Sequence, residues 1–435
     1  MDDFSSLVLP ALGAWSLLFA TLWISGILLS RATLGAAMAP PSPQGGTAIG
    51  LSATLRRLYR AVNVASAAFF YASLPLVALL VVGLGGAIVW GFIAIGHIPL
   101  KLVLLVIVVT CVTMFALFKG IWAAFASGDD EDPGKFLVIE QHPKLAMTLH
   151  EVASEIGTRA VQRVFLVPGA ELAVFERGGL IQKLRGGGER CLILGAALLD
   201  VLTVRQLKSV LAHEYGHFQN ADTAGGTLTL AVRRSLMHTI VALAKGNAAA
   251  WYNPAWWFVR GYYKVYLRIS QGASRLQEVL ADRWAITAYG SSTFEEAFVA
   301  VLRASARFDA RAKVLVCAAI EHQVPIHNFF RQDVELSSAS LEADVKEALG
   351  MPAGEFDSHP SPEQRVAWAR MLKQVGRAGE SLSLRSCGVN EHDLSWLLLE
   401  GRTALELEMT DVICSNVAVN VGVHIPRETE TARAS

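Results

Sequence analysis

His213-Glu214-Tyr215-Gly216-His217 is the stretch that decides how this chain reads. The residues before it supply Leu207, Val210 and Leu211 as an apolar face, and Thr203 with Gln206 has the separation of a capping box. The spacing predicts a helix that starts at Thr203 and runs through the motif. Histidines four apart on a helix lie on one face, one turn above each other. Two imidazoles can therefore grip one zinc ion from a single rigid element. Glu214 sits beside the first histidine, where it can take a proton from an attacking water. The plainer alternative is a surface helix with two unrelated histidines, and the five residues alone do not separate the two.

Some 60 residues later comes Ser274-Arg275-Leu276-Gln277-Glu278-Val279-Leu280-Ala281-Asp282, a second helical stretch that ends near Gly290. Glu278 and Asp282 are four apart and share a face. A catalytic zinc takes three protein ligands and keeps a fourth position for water. Glu278 can be the third ligand, and Asp282 can accept the free ring N–H of a ligand histidine and fix its tautomer. Taken by itself this stretch reads more simply as an exposed acidic face, with Arg275 pairing Glu278 at i,i+3.

The composition places both stretches in a membrane context. Hydrophobic residues make up 53% of the 435 and charged residues only 17%, a balance typical of chains with several spans. The formal net charge is zero, so there is no basic footprint for nucleic acid. The five cysteines are scattered and form no CxxC pair, which argues against a disulfide framework and for a reducing compartment.

Phe4 to Ser30 carries no formal charge and exceeds the roughly 20 residues of one span. Asp2 and Asp3 stand where a cleaved signal would have positive charge, so an uncleaved first span is expected at about 7–30. Pro40, Pro41, Pro43, Gly45 and Gly46 mark a connection. Leu51 to Val62, with Arg56, Arg57 and Arg60, suits a helix lying on the membrane surface. Further spans are expected at about 67–92 and 102–125, with Gly83, Gly85 and Gly86 as close packing positions. The loop bearing Arg31, Arg56, Arg57 and Arg60 belongs in the cytoplasm by the positive-inside rule. Two further crossings return the chain to that side, so the catalytic part is expected to be cytoplasmic.

Asp129, Asp130, Glu131, Asp132 and Pro133 mark the exit from the membrane. A helix over Pro143 to Gly157 follows. Strands are expected over Arg163 to Val167, Leu172 to Phe175 and Cys191 to Leu194, with Gly186, Gly187 and Gly188 as a hairpin turn. Between the two metal-bearing helices, about 228–270, charges interrupt every apolar run, while Trp251, Tyr252, Trp256, Trp257, Tyr262, Tyr263 and Tyr266 accumulate. Aromatic and basic residues together suit a membrane–water boundary. An interfacial helical insertion is the reading here; a tilted hairpin and a buried aromatic helix pair are the alternatives. Helices are expected over 294–308, 313–321, 341–349 and 362–375, and the polar end, 426–435, as a frayed tail.

The combination of HEYGH, SRLQEVLAD and preceding spans resembles the membrane zinc peptidases typified by HtpX and the CAAX prenyl proteases. The resemblance covers roughly Gln141 to Arg370. Leu194-Gly195-Ala196-Ala197-Leu198-Leu199-Asp200, His359-Pro360 and Arg365 add to it. It implies a mainly α fold: transmembrane helices over 1–126, then a mostly helical zincin-like metalloprotease domain with a small β-sheet over 127–425. It implies one zinc ion per chain on His213, His217 and Glu278, Glu214 as general base, and Asp282 behind a ligand histidine. His359 would face the substrate carbonyl, with Arg365 beside it. His359 reads equally as a loop residue before a helix, since Ser361-Pro362-Glu363-Gln364 is a strong helix start. One departure stands out: Glu171-Leu172-Ala173 occupies the place of the family's usual Asn-Ala pair.

The implied activity is endopeptidase cleavage of protein or peptide substrates at the lipid bilayer, in membrane-protein quality control. Processing of a defined, CAAX-like tail is the alternative within proteases. A scaffold with a structural zinc is the alternative outside them, and it lacks a fourth Cys or His at ligand spacing. A transporter is disfavoured because the spans carry no charged residues of the kind that mark ion paths.

Overall fold

A computed structural model describes residues 2–38, 53–96, 98–125, 132–178, 182, 187–220, 226–354, 359–375 and 389–426. It is mainly helical, with three long apolar helices followed by a mostly helical region around a small sheet, the class expected from the sequence. The first three helices are α1 (Asp2–Met38), α2 (Ala53–Ala94) and α3 (Leu100–Phe125). Each is long and apolar enough to cross a membrane, over Pro10–Ala36, Thr54–Ala94 and Leu100–Trp122. Their outer faces expose Leu17, Leu28, Leu79, Trp90, Leu104 and Phe115. Such a surface suits hydrocarbon, where a helix satisfies its own backbone and needs no water.

One element differs from expectation. The surface helix read from Leu51 to Val62 is no separate element, because α2 runs unbroken for 42 residues from Ala53. The charge step at Arg60 changes the environment of the helix without interrupting its hydrogen bonding. Pro75 lies within it. The Pro- and Gly-rich connection at 40–46, the acidic exit at 129–131, Gly186 and the tail from 427 lie outside the described residues.

The C-terminal part begins with β1 (Lys135–Leu137), a strand too short to announce itself in the sequence, and α4 (Pro143–Ile156). Gly157 ends α4 in the left-handed conformation, at φ 74°. Strands β2 (Arg163–Val167), β3 (Leu172–Arg177) and β4 (Glu189–Gly195) complete a sheet of order β1-β2-β4-β3. β4 pairs in parallel with β2 and antiparallel with β3. Cys191 to Leu194 therefore lies inside the sheet, hydrogen-bonded on both sides. The edge beside the motif helix is β3.

A short turn, α5 (Ala196–Leu199), leads to the motif helix α6 (Val204–Asn220). The expected capping box is formed: Gln206 N–H donates to Thr203 Oγ1 at 3.3 Å and Thr203 N–H to Gln206 Oε1 at 3.1 Å. The C-terminal segment caps the same end, with Val204 and Arg205 N–H donating to the carbonyls of Asp393 and Glu391. Leu207, Leu211, Tyr215, Leu276, Leu280 and Trp396 are buried in one core that unites the sheet, α6 and the helix that carries Glu278.

The 228–270 region is a pair of helices, α7 (Gly226–Lys245) and the first half of α8 (Pro254–Tyr289). α7 packs lengthwise on α3: Ser235 Oγ donates to Gly120 O at 2.7 Å. α8 packs on α1 and α2, with Tyr262 stacked on Phe70 and its hydroxyl donating to Ser66 O at 2.5 Å. The aromatic residues thus divide between buried packing, as for Tyr262 and Tyr266, and the exposed tip, as for Trp251 and Trp257. The rest is α9 (Ser291–His322), which joins the two helices expected at 294–308 and 313–321, then α10 (Ser338–Gly350), α11 (Pro362–Val375) and α12 (Arg402–Val421).

Gly120 is where α3 and α7 touch, and a Cβ there would fall inside the Thr239 side chain and 3.1 Å from Ser235 O. Gly120→Val should destabilise the protein by about 1–3 kcal/mol through overpacking. Thermal melting of the detergent-solubilised variant checks this; an unchanged melting temperature would show that the two helices do not pack as described.

Candidate metal centre

α6 and α8 cross beside the sheet, and the crossing is close because Gly216 offers no side chain. A Cβ on Gly216 would lie 2.9 Å from Ala281 Cα and 3.2 Å from Trp284. This contact puts the imidazole face of α6 against the carboxylate face of α8. His213 Nε2 lies 3.5 Å from Glu278 Oε2, and His217 Nε2 lies 3.5 Å from Glu278 Oε1. The two Nε2 atoms are 3.2 Å apart. Around a tetrahedral zinc with ligand bonds of about 2.0–2.1 Å, ligand atoms are separated by about 3.3 Å. The two imidazole nitrogens have about that spacing, and each lies about that far from one of the two Glu278 carboxylate oxygens.

The donor set also has the right chemistry. Glu278 is buried, and its Oε2 receives no hydrogen bond of acceptable geometry. His359 Nδ1 comes within 2.9 Å of that oxygen without donating to it along a usable direction. A buried carboxylate oxygen without a donor is costly unless a cation faces it. Glu214 also brings an oxygen within 4.8 Å of both histidines. Glu214 is engaged by Val174 N–H, whereas Glu278 Oε2 is buried without a donor, so Glu278 is the better candidate for third ligand.

Asp282 sits one turn beyond Glu278 and is 1% exposed. It lies 2.8 Å from His213 Nδ1 and receives Arg365 through Nε at 2.9 Å and Nη2 at 2.5 Å. This bidentate pairing is the strong form of a charge-assisted hydrogen bond. Arg365 is set by the first turn of α11, where Ser361 and Gln364 form the expected capping box, and its guanidinium stacks on Phe298 at 4.8 Å. Phe298 had no signal in the sequence; only packing reveals it. His359, more than half exposed, is on the segment that enters α11.

These contacts set the electrostatics. Burial alone would lower the pKa of His213, but Asp282 and Glu278 push it up to about 10. Burial and the neighbouring His213 push His217 down to about 4. Asp282 is held below its usual range, against burial, by Arg365 and His213. Glu278 is likewise held low, against burial, by His213 and His359. Glu214 moves the other way: burial pushes it up to about 7. The site is thus built to hold positive charge between the Glu278 and Asp282 carboxylates.

Glu214 Oε2 accepts from Val174 N–H at 3.2 Å. Val174 is on β3, so its N–H points to the free edge of the sheet. The carboxylate next to the first histidine is therefore tied to that edge. Nothing in the sequence points to this contact, because strand order is not written in strand composition.

The sequence profile of peptidase family M48 matches residues 141–373, more than half of the chain. The chain belongs to peptidase family M48. A further relative is a protein described as "Protease HtpX homolog" from Aquifex aeolicus (strain VF5), 30% identical over 87 residues. That match covers 19% of this chain and 27% of the relative, so the chain spans well under two thirds of that relative's length. No solved structure matches significantly. M48 membership agrees with the class implied by the sequence, a metallopeptidase.

The crossing at Gly216 predicts the behaviour of one M48 variant. Gly216→Val should force α6 from α8 and weaken divalent-metal affinity by about tenfold or more. Competition with a chromogenic chelator measures it. Unchanged affinity would mean that the donor set does not depend on this crossing.

Proposed function

We propose that this protein is a membrane-bound zinc endopeptidase, with His213, His217 and Glu278 as metal ligands and Glu214 as general base. The observation that carries the reading is that the His213 and His217 Nε2 atoms, 3.2 Å apart, each lie 3.5 Å from an oxygen of the buried Glu278 carboxylate, whose Oε2 has no donor. Two imidazoles and one carboxylate suit zinc. Zinc, when bound, supplies a Lewis acid that polarises the scissile carbonyl and acidifies water. The chain's own residues do the rest. Glu214 takes the proton of the attacking water and passes it to the leaving amine. Burial pushes Glu214 up to about 7, which makes the carboxylate basic enough for that task. Asp282 fixes the His213 tautomer, and Arg365 fixes Asp282. His359, exposed at the rim, is available to the oxyanion.

An extended peptide would pair its backbone with the free edge of β3, beside Glu214. Leu172 begins that edge and Glu171 precedes it, and both would shape what it accepts. The proposed substrates are membrane-associated polypeptides, and the proposed role is membrane-protein quality control. Digestion of an unfolded membrane protein in preference to a prenylated peptide is the expected result; the reverse preference would favour tail processing.

A cytoplasmic catalytic part is supported by the placement of the arginine-bearing helix ends. Ser30, next to Arg31, and Tyr59, next to Arg60, both touch α8 within three turns of Glu278. This supports a shared side for these arginines and the site. Exposed Cys317 on α9 should react with an impermeant maleimide in inverted vesicles and resist it in intact cells.

Glu214→Gln tests the base directly. It should retain zinc and lose about 10²–10⁴-fold in kcat. A variant that cleaves at the wild-type rate would show that another group moves the proton.

A further inference from the structure

One turn of α8 is held by three neighbouring helices at once. Tyr59 of α2 is fully buried, and its hydroxyl donates to Ile269 O at 2.7 Å while accepting from Ala273 N–H at 2.7 Å. Those two backbone groups are the partners that a regular helix would pair with each other. One residue earlier, Gly272 N–H donates to Ser30 Oγ of α1 at 2.9 Å. A Cβ at Gly272 would lie 2.7 Å from Ser30 O and 2.8 Å from Ser30 Cα, so the two backbones touch. Arg233 of α7 donates to Ser270 Oγ from Nε at 3.1 Å and Nη2 at 2.7 Å, and Ser270 Oγ donates in turn to Tyr266 O.

A helix satisfies its own interior backbone, so it does not need these partners to be stable. A side chain inserted between an N–H and its i−4 carbonyl instead sets the local pitch and bend. Glu278 is five residues beyond Ala273, about 7.5 Å along the axis. Over so short a distance, a change in bend at residues 269–273 is delivered to Glu278 and Asp282 as a displacement and a rotation. The facing histidines are on α6, which Tyr59 and Ser30 do not touch through any of these bonds, so they would not follow.

We propose that Tyr59 is a positioning residue for the metal centre: its hydroxyl, with Ser30 beside it, fixes the bend of α8 that brings Glu278 into register with His213 and His217. Through this contact the packing of α1 and α2 governs the geometry of the donor set. The inference rests on the reading of Glu278 as a metal ligand.

The test uses the full-length protein in detergent, with Tyr59→Phe, which removes one oxygen. Zinc affinity is measured by chelator competition, and the visible spectrum of the cobalt-loaded protein reports ligand geometry. Tyr59→Phe should lower zinc affinity by about tenfold, as loss of a group supporting a metal ligand does, and shift the cobalt bands. Val259→Ala, a cavity on the same helix that leaves its backbone partners alone, should lower the melting temperature with the cobalt spectrum unmoved. Wild-type affinity and spectrum in Tyr59→Phe would overturn the proposal, as would an equal spectral shift in Val259→Ala. If Tyr59→Phe does not fold, Ser30→Ala carries the same test, with a loss of a few-fold in affinity expected and an unchanged spectrum against the proposal. Glu278→Gln separates the two ideas: if it binds zinc as the wild type does, the ligand assignment has failed and the role of Tyr59 falls with it; if it loses zinc while Tyr59→Phe matches the wild type, only the role of Tyr59 has failed.

Discussion

The structure depends on how closely two helices approach at Gly216 and Ala281. One helix brings imidazoles, the other carboxylates, and neither set alone could hold an ion. The missing side chain at Gly216 allows backbone contact, so Glu278 reaches the gap between His213 and His217 without extending from a distance. Around this crossing the core is continuous. Leu207, Leu211 and Tyr215 of α6 and Leu276 and Leu280 of α8 are nearly or fully buried together. Burial of each large apolar side chain is worth roughly 1.5–3 kcal/mol, and a shift of either helix would forfeit part of several such terms.

Charge is arranged around the crossing with the same economy. Asp282 is buried deepest and is satisfied by Arg365, whose other face rests on Phe298. This leaves Asp282 free to orient His213 without itself needing a proton. Glu278, by contrast, keeps one oxygen without a donor. The difference between two carboxylates one turn apart is a difference of role. One braces a ligand, and the other is suited to be one. Glu214 occupies a third environment, buried but bonded to a strand edge rather than a cation, which pushes its pKa up where Glu278 and Asp282 are pushed down.

How much of this was legible in the sequence depends on the range of each interaction. Local signals served well. The capping boxes at Thr203 and Ser361 marked the starts of α6 and α11, Arg163 to Val167 matched a strand residue for residue, and the charge-free runs located three apolar helices. Non-local facts were hidden. Cys191 to Leu194 has the composition of any strand, and only its pairing on both sides shows that it is interior. The arginines near residue 60 signal a change of surroundings, but α2 runs through them without a boundary. The bridge from Tyr59 to α8 joins residues more than 200 apart, and a tyrosine in an apolar helix carries no mark of such a partner. The likeness of HEYGH and SRLQEVLAD to known peptidases supplied the pairing of distant motifs that spacing alone left open.

X-ray absorption on the purified, full-length protein tests the central claim most directly. The account predicts one zinc per chain with two imidazole nitrogens and carboxylate oxygen at about 2.0–2.1 Å, plus a light solvent ligand. A zinc shell containing sulfur, or one closed by four protein ligands, would contradict it.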